Sequence, residues 1–143
     1  MIVEFKWASA TIRKLNSFPK ITPRAMKRAL YDIGKDMYSE ARRLIKEGPK
    51  SGTKYKVRGR THTASAPGQA PANWTGKLRR SVGFNVRPNE VEYGYRIDYG
   101  KYLEEGTSKM SPRPGLRLTY RNKRKNIRGY FERRLKEQFE RKI

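Results

Sequence analysis

The stretch TPRAMKRALYDIGKDMYSEARRLIKEGP, residues 22–49, decides the fold. Thr22 is a good helix cap, Pro23 suits the first helical position, and Gly48-Pro49 closes the far end. Between them Met26, Ala29, Leu30, Ile33, Met37, Ala41, Leu44 and Ile45 keep the three-and-four spacing of one buried stripe. Lys27, Arg28, Lys35, Asp36, Arg42 and Arg43 fall largely off that stripe. The spacing predicts a long amphipathic helix that must pack on something.

Upstream, Val3, Phe5 and Trp7 alternate with Glu4 and Lys6, a period of two that predicts a half-buried strand. Ile12, Leu15 and Phe18 follow at three-residue steps and suggest a short turn or helix ending before Pro19. Downstream, residues 48–74 break every period, with Gly48, Pro49, Gly52, Gly59, Pro67, Gly68 and Pro71 as punctuation. The segment is too long for an ordinary connector and is expected to be an extended arm. Thr75 is placed to cap a short helix leading into a strand with Val82, Phe84 and Val86, and Pro88-Asn89 reads as a turn. Val91, Tyr93, Tyr95 and Ile97 alternate with Glu92, Gly94, Arg96 and Asp98 and complete an antiparallel hairpin. A short helix over 99–105, stopped by Gly106, and the bend Ser111-Pro112-Arg113-Pro114-Gly115 come next. From about residue 121, Ile127, Phe131, Leu135 and Phe139 recur at four-residue steps and predict a second amphipathic helix. The expected fold is one α+β domain over residues 1–143, in which the long helix and the C-terminal helix pack on a small antiparallel sheet.

Charge is the dominant compositional fact. In 143 residues, 35 Lys and Arg face 13 Asp and Glu, a net charge of +22, and hydrophobic residues make up 35%. Mean hydropathy is -1.00. Such self-repulsion is tolerable when counterions, nucleic acid or acidic surfaces lie close. Residues 48–89 contain no acid, and Lys50, Lys54, Lys56, Arg58 and Arg60 mark that arm as a candidate contact with DNA or a partner. A second acid-free window runs from Gly106 to Phe131.

Several classes of chemistry lack their residues. Cysteine is absent, and His62 is the only histidine, so a zinc site of imidazole and thiolate cannot be assembled. The carboxylate pairs Glu90/Glu92 and Glu104/Glu105 sit among basic residues near turns, where salt bridging or solvation is the expectation. No phosphate-cradling Gly-Lys-Ser loop, nucleophile elbow or dinucleotide fingerprint occurs. No catalytic, cofactor-binding or metal-binding residue is therefore expected. Glu4 and Lys6 interrupt any signal-peptide core, and no apolar run reaches the length of a membrane span. A soluble protein of reducing cytoplasm is expected.

Two blocks resemble a known family. Arg60-Thr-His-Thr-Ala-Ser-Ala-Pro-Gly-Gln-Ala-Pro, followed by Thr75-Gly-Lys-Leu-Arg-Arg-Ser-Val, resembles the "ASAPGEAP…TGRLRxSI" segment of bacteriophage tail-completion, or head-tail joining, proteins. Tyr99-Gly-Lys-Tyr-Leu-Glu-Glu-Gly-Thr-Ser-Lys-Met-Ser-Pro-Arg-Pro resembles that family's "YAxYLEFGTSKMxxRP" signature. The shared positions are Thr75, Gly76, Leu78 and Arg79, then Tyr102, Glu104, Gly106, Thr107, Ser108, Lys109, Met110, Arg113 and Pro114. The chain departs at Glu105, where the family often has an aromatic, and at Gly115 and Leu118, where it often has an aromatic and a second proline.

The resemblance implies a virion structural protein of the phage neck, made in the host cytoplasm. It would form a ring, hexameric by preference and dodecameric as the alternative, around the DNA channel. Its neighbours would be the connector or stopper, the tail terminator and the tail tube. The rival expectation, from charge alone, is a sequence-nonspecific nucleic-acid binder. The arm is expected to be loose in a free subunit and ordered by neighbours.

Overall fold

The computed structural model describes residues 22–88 and 90–140. The strand expected at residues 2–7 and the turn or helix bearing Ile12, Leu15 and Phe18 lie outside them. Helix α1 runs Pro23–Glu47. Thr22 Oγ1 accepts from the Ala25 amide at 3.2 Å, and the Gly48 amide donates to the Leu44 carbonyl at 2.9 Å. All eight apolar positions of its stripe are buried. Leu30, Ile33, Met37 and Ile45 are almost wholly buried, each contributing at most about 1.5–3 kcal/mol of transfer free energy.

That stripe packs on a hairpin of β3 (Val82–Arg87) and β4 (Glu90–Tyr95), whose definition follows β1 (Lys54–Val57), β2 (Arg60–Thr63) and the short α2 (Lys77–Ser81). The register pairs Val82 with Tyr95, Phe84 with Tyr93 and Val86 with Val91, which puts those six side chains on one face. Val91, Tyr93 and Tyr95 are fully buried there. Both faces of this strand are covered, because Glu92 on the opposite face is buried too. The regular strand ends at Tyr95, short of Ile97.

Helix α3 (Gly100–Glu105) leads to α4 (Gly115–Glu140), which begins about six residues earlier than its apolar spacing suggested. Leu116, Ile127 and Phe131 join the core, while the side chains of Leu135 and Phe139 lie outside the described residues. α4 runs against α1 and meets β4 at its first turn. Polar pairs stitch the two helices: Arg134 to Asp32 at 2.7 Å, Lys123 to Asp36 at 3.1 Å, and Asn122 to Glu40 at 3.1 Å. Asp32, Asp36 and Glu40 stand one turn apart on α1, so they meet α4 as a row. No helix among the described residues is long and apolar enough to cross a membrane.

The arm is not irregular throughout. β1 and β2 form an antiparallel hairpin with Val57 opposite Arg60, and Arg58 and Gly59 at its tip both have positive φ, 50° and 76°. That is the backbone of a type I′ turn, whose twist matches paired strands. The described strands therefore make two separate two-stranded sheets rather than one.

Candidate functional site

The second signature block folds into a single U-turn joining α3 to α4. Gly106 ends α3 with φ 76° and ψ 179°, and its amide donates to the Tyr102 carbonyl at 2.8 Å. This positive φ with extended ψ differs from the left-handed conformation in which glycine commonly ends a helix. A Cβ at Gly106 would stand 2.7 Å from the Met110 carbonyl oxygen, so only glycine fits. Thr107 and Met110 bridge each other, and the Lys109 amide donates to Thr107 Oγ1 at 3.2 Å. Ser108 and Lys109 stand exposed at the tip, as does Tyr102 on the outer side of α3. Pro114 precedes α4, and the Arg113 amide returns to the Leu103 carbonyl at 2.6 Å, closing the turn.

At the centre of this turn is Glu104. Its carboxyl is fully buried, against the expectation of salt bridging or solvation for the Glu104/Glu105 pair; Glu105 alone is exposed. Oε1 accepts from the Leu116 amide at 2.6 Å and the Tyr95 hydroxyl at 3.3 Å, while Oε2 has no hydrogen-bond partner among the described residues. Glu104 thus caps α4 from a different helix, satisfying an amide that the first turn leaves orphaned. The Tyr93 hydroxyl holds the same residue from the other side, donating to the Leu116 carbonyl at 2.6 Å. Burial pushes the Glu104 carboxyl up to about 7, with the Leu116 and Arg117 amides and Tyr95 opposing. Burial, and next the Glu104 charge, raise Tyr95 well above its ordinary value. Of the other carboxylate pair, Glu92 is buried with Arg87 at 3.1 Å, and Glu90 meets the same guanidinium at 3.3 Å.

The same turn holds the stem of the arm. Arg113 Nε donates to the Ser65 carbonyl at 3.1 Å, and the Gly68 amide donates to the Pro112 carbonyl at 2.9 Å. Gln69 braces the stem from within, accepting from the Ser51 and Ala66 amides at 3.1 and 2.8 Å. Lys50 is half-buried and donates to the Leu44 and Ala70 carbonyls at 3.2 and 3.4 Å. Burial lowers its pKa. Its ammonium is spent on the end of α1, whereas the sequence had grouped it with the arm's outward charges.

In the first block, Leu78 is buried, Arg79 is half-buried, and Gly76 rather than Thr75 occupies the cap of α2 with φ 78°. Thr75 Oγ1 reaches only the Lys77 amide, at 3.4 Å.

What stands exposed is the β1–β2 hairpin, along which Lys54, Lys56, Arg58 and Arg60 are all exposed. Tyr55 pairs with His62 across the hairpin, and Trp74 joins them with ring centroids 4.0 Å from His62 and 6.5 Å from Tyr55. The aromatic group borders an open groove that includes Val57, Leu103, Met110 and Arg113. No local spacing signals this group, since Tyr55 and Trp74 lie nineteen positions apart. Among the described residues no three His, Asp or Glu side chains gather closely enough to hold a metal ion. No family model matches the chain, and neither does any curated protein or solved structure.

Proposed function

We propose that this chain is a structural subunit of a tailed-phage neck, a tail-completion or head-tail joining protein that works in a ring around the DNA channel and catalyses nothing. One observation carries the reading. The second of the blocks that resemble the family folds around the buried Glu104, and its Arg113 and Pro112 hold Ser65 and Gly68 of the first, which fixes the stem of an exposed hairpin. The block residues serve to position a surface; the most perturbed carboxyl among them is sealed by Tyr95 and the start of α4. An arrangement that rigidly presents a basic and aromatic hairpin suits contact with adjoining subunits or rings. The net charge of +22 suits a place beside a polyanion.

Mass spectrometry and averaged cryo-electron microscopy of purified particles test it. The chain should occur in several copies arranged about the axis where head and tail join. Absence from particles, or a lone copy away from the axis, would overturn the proposal. The alternative, a free sequence-nonspecific nucleic-acid binder, draws on the exposed arginines. It requires that the protein fail to assemble with other virion proteins when DNA is removed by nuclease.

A further inference from the structure

Helix α4 carries a second basic surface of different character from the hairpin. Arg117, Arg121, Arg124 and Arg128 are all exposed. At 100° per residue they fall within a narrow arc, roughly a quarter of a turn round from the buried stripe of Leu116, Ile127 and Phe131. Arg117, Arg121 and Arg124 have no ion pair among the described residues, and Arg128 has only the exposed Glu132 at 2.6 Å. Like charges one turn apart weaken a helix, so stability alone disfavours such a row. Glu104 and Tyr93 nonetheless anchor the first turn of this helix.

We infer that the arginine row Arg117–Arg121–Arg124–Arg128 is the surface that meets nucleic-acid phosphates, in a sequence-blind manner. Two features favour phosphate over an acidic protein. Between Arg117 and Arg128 that arc holds no large apolar or aromatic side chain, whereas protein interfaces are depleted of charge at their centre and anchored by such residues. The hairpin has those anchors in Tyr55, Val57 and Trp74, all exposed. The spacing also fits: from Arg117 to Arg128 the helix rises about 16 Å, a distance over which one strand of duplex DNA presents roughly five phosphates. The inference takes the DNA channel of the proposed neck role as its setting but is settled by a separate measurement.

That measurement is fluorescence anisotropy of the full chain with a labelled 30-base-pair duplex, across a sodium chloride series. Each phosphate contact contributes about 0.9 to the slope of log affinity against log salt. The variant R117Q/R121Q/R124Q/R128Q should therefore lose about 3 to 4 from the wild-type slope. K54Q/K56Q/R58Q/R60Q removes the same charge from the hairpin and should lose less than about 1. Circular dichroism confirms that the helices persist; should the fourfold variant not fold, R121Q and R124Q singly should each lower the slope by about 1. A wild-type slope in the α4 variants, or an equal loss in the hairpin variant, overturns the assignment. So does a wild-type chain that prefers poly-glutamate to duplex and loses that preference with the arginines, which would make the row a protein contact. Particle localisation is independent of all these outcomes, so the neck reading and this one can fail separately.

Discussion

Replacing Glu104 by Gln should make the protein more stable at alkaline pH. The carboxyl is fully buried at the start of α4, with a pKa of about 7 in the folded chain against an ordinary 4.5. Because the folded pKa lies above the unfolded one, the contribution of Glu104 is intact below about pH 4.5 and is lost as pH rises through about 7. At about 1.4 kcal/mol per pKa unit, the ionised carboxyl costs about 3 kcal/mol above pH 7. The groups that face it are Tyr95 and Tyr93 from β4 and Arg117 from α4; only Arg117 carries a charge at neutral pH. Gln keeps the oxygen that accepts from Leu116 and Tyr95 and sets an amide where Oε2 stands. Protonated Glu104 places its own O–H there, so wild type and variant should agree within about 1 kcal/mol at pH 5. At pH 8.5 the variant should be more stable by about 3 kcal/mol. Urea unfolding followed by circular dichroism at both pH values measures the difference. A gap that stays the same at pH 5 and pH 8.5, or a variant less stable at pH 8.5, would refute the reasoning.

Arg113→Ala removes the donor to the Ser65 carbonyl; it should cost about 1–2 kcal/mol and speed tryptic cleavage between Lys54 and Arg60. Unchanged cleavage kinetics would show that the stem is held by other bonds. Gly34→Ala would put a Cβ into the Phe84 ring and 2.9 Å from Val91 Cγ2, so thermal unfolding should report a loss of about 1–3 kcal/mol from overpacking α1 on the β3–β4 hairpin. Glu40 behaves oppositely to Glu104: its hydrogen-bonded pairing with Arg43 holds its pKa below the usual value. Its contribution is present above the unfolded pKa and lost as pH falls through the folded one. Glu40→Gln should accordingly be destabilised by about 1–2 kcal/mol at pH 7, and the gap should narrow as pH falls in urea titrations.

The long helix was legible because three independent signals agree over residues 22–49: cap, proline and glycine boundaries, and an unbroken apolar stripe. Period-two alternation likewise located β3 and β4. The β1–β2 hairpin was not legible because its turn is Arg58-Gly59, and Arg lacks the preference for positive φ that marks Asn-Gly or Asp-Gly turns. Its strands are also exposed along most of their length, so burial imposed no alternation of apolar residues to read. The start of α4 was missed for a related reason. Its first turn is held by Glu104 and Tyr93, twelve and twenty-three residues away in the chain, where a local reading looks for a cap at the adjoining residue.

The candidate site shows the same limit more sharply. Charge counting treated Lys50, Lys54, Lys56, Arg58 and Arg60 as one group, because composition has no direction. In the fold Lys50 turns onto the Leu44 carbonyl at the end of α1 while the other four are exposed along the β1–β2 hairpin. The reverse holds for Arg117, Arg121, Arg124 and Arg128, which composition merged with Lys123 in one basic window. Lys123 pairs with Asp36 on α1 and is thereby neutralised; the four arginines share one exposed arc. Helical phase, rather than charge density, separates cations that hold this protein together from cations free to meet something else. That phase became readable only once the buried side of α4 was known, since Gly129 and the many charges blur its apolar stripe. Glu104 completes the point: an acid among basic residues reads as a salt bridge, but salt bridging requires access to a cation. The chain instead closes Tyr95 and the α4 amides over it, which turns a surface-type residue into the buried cap on which the geometry of α4, and so the direction of its arginines, depends.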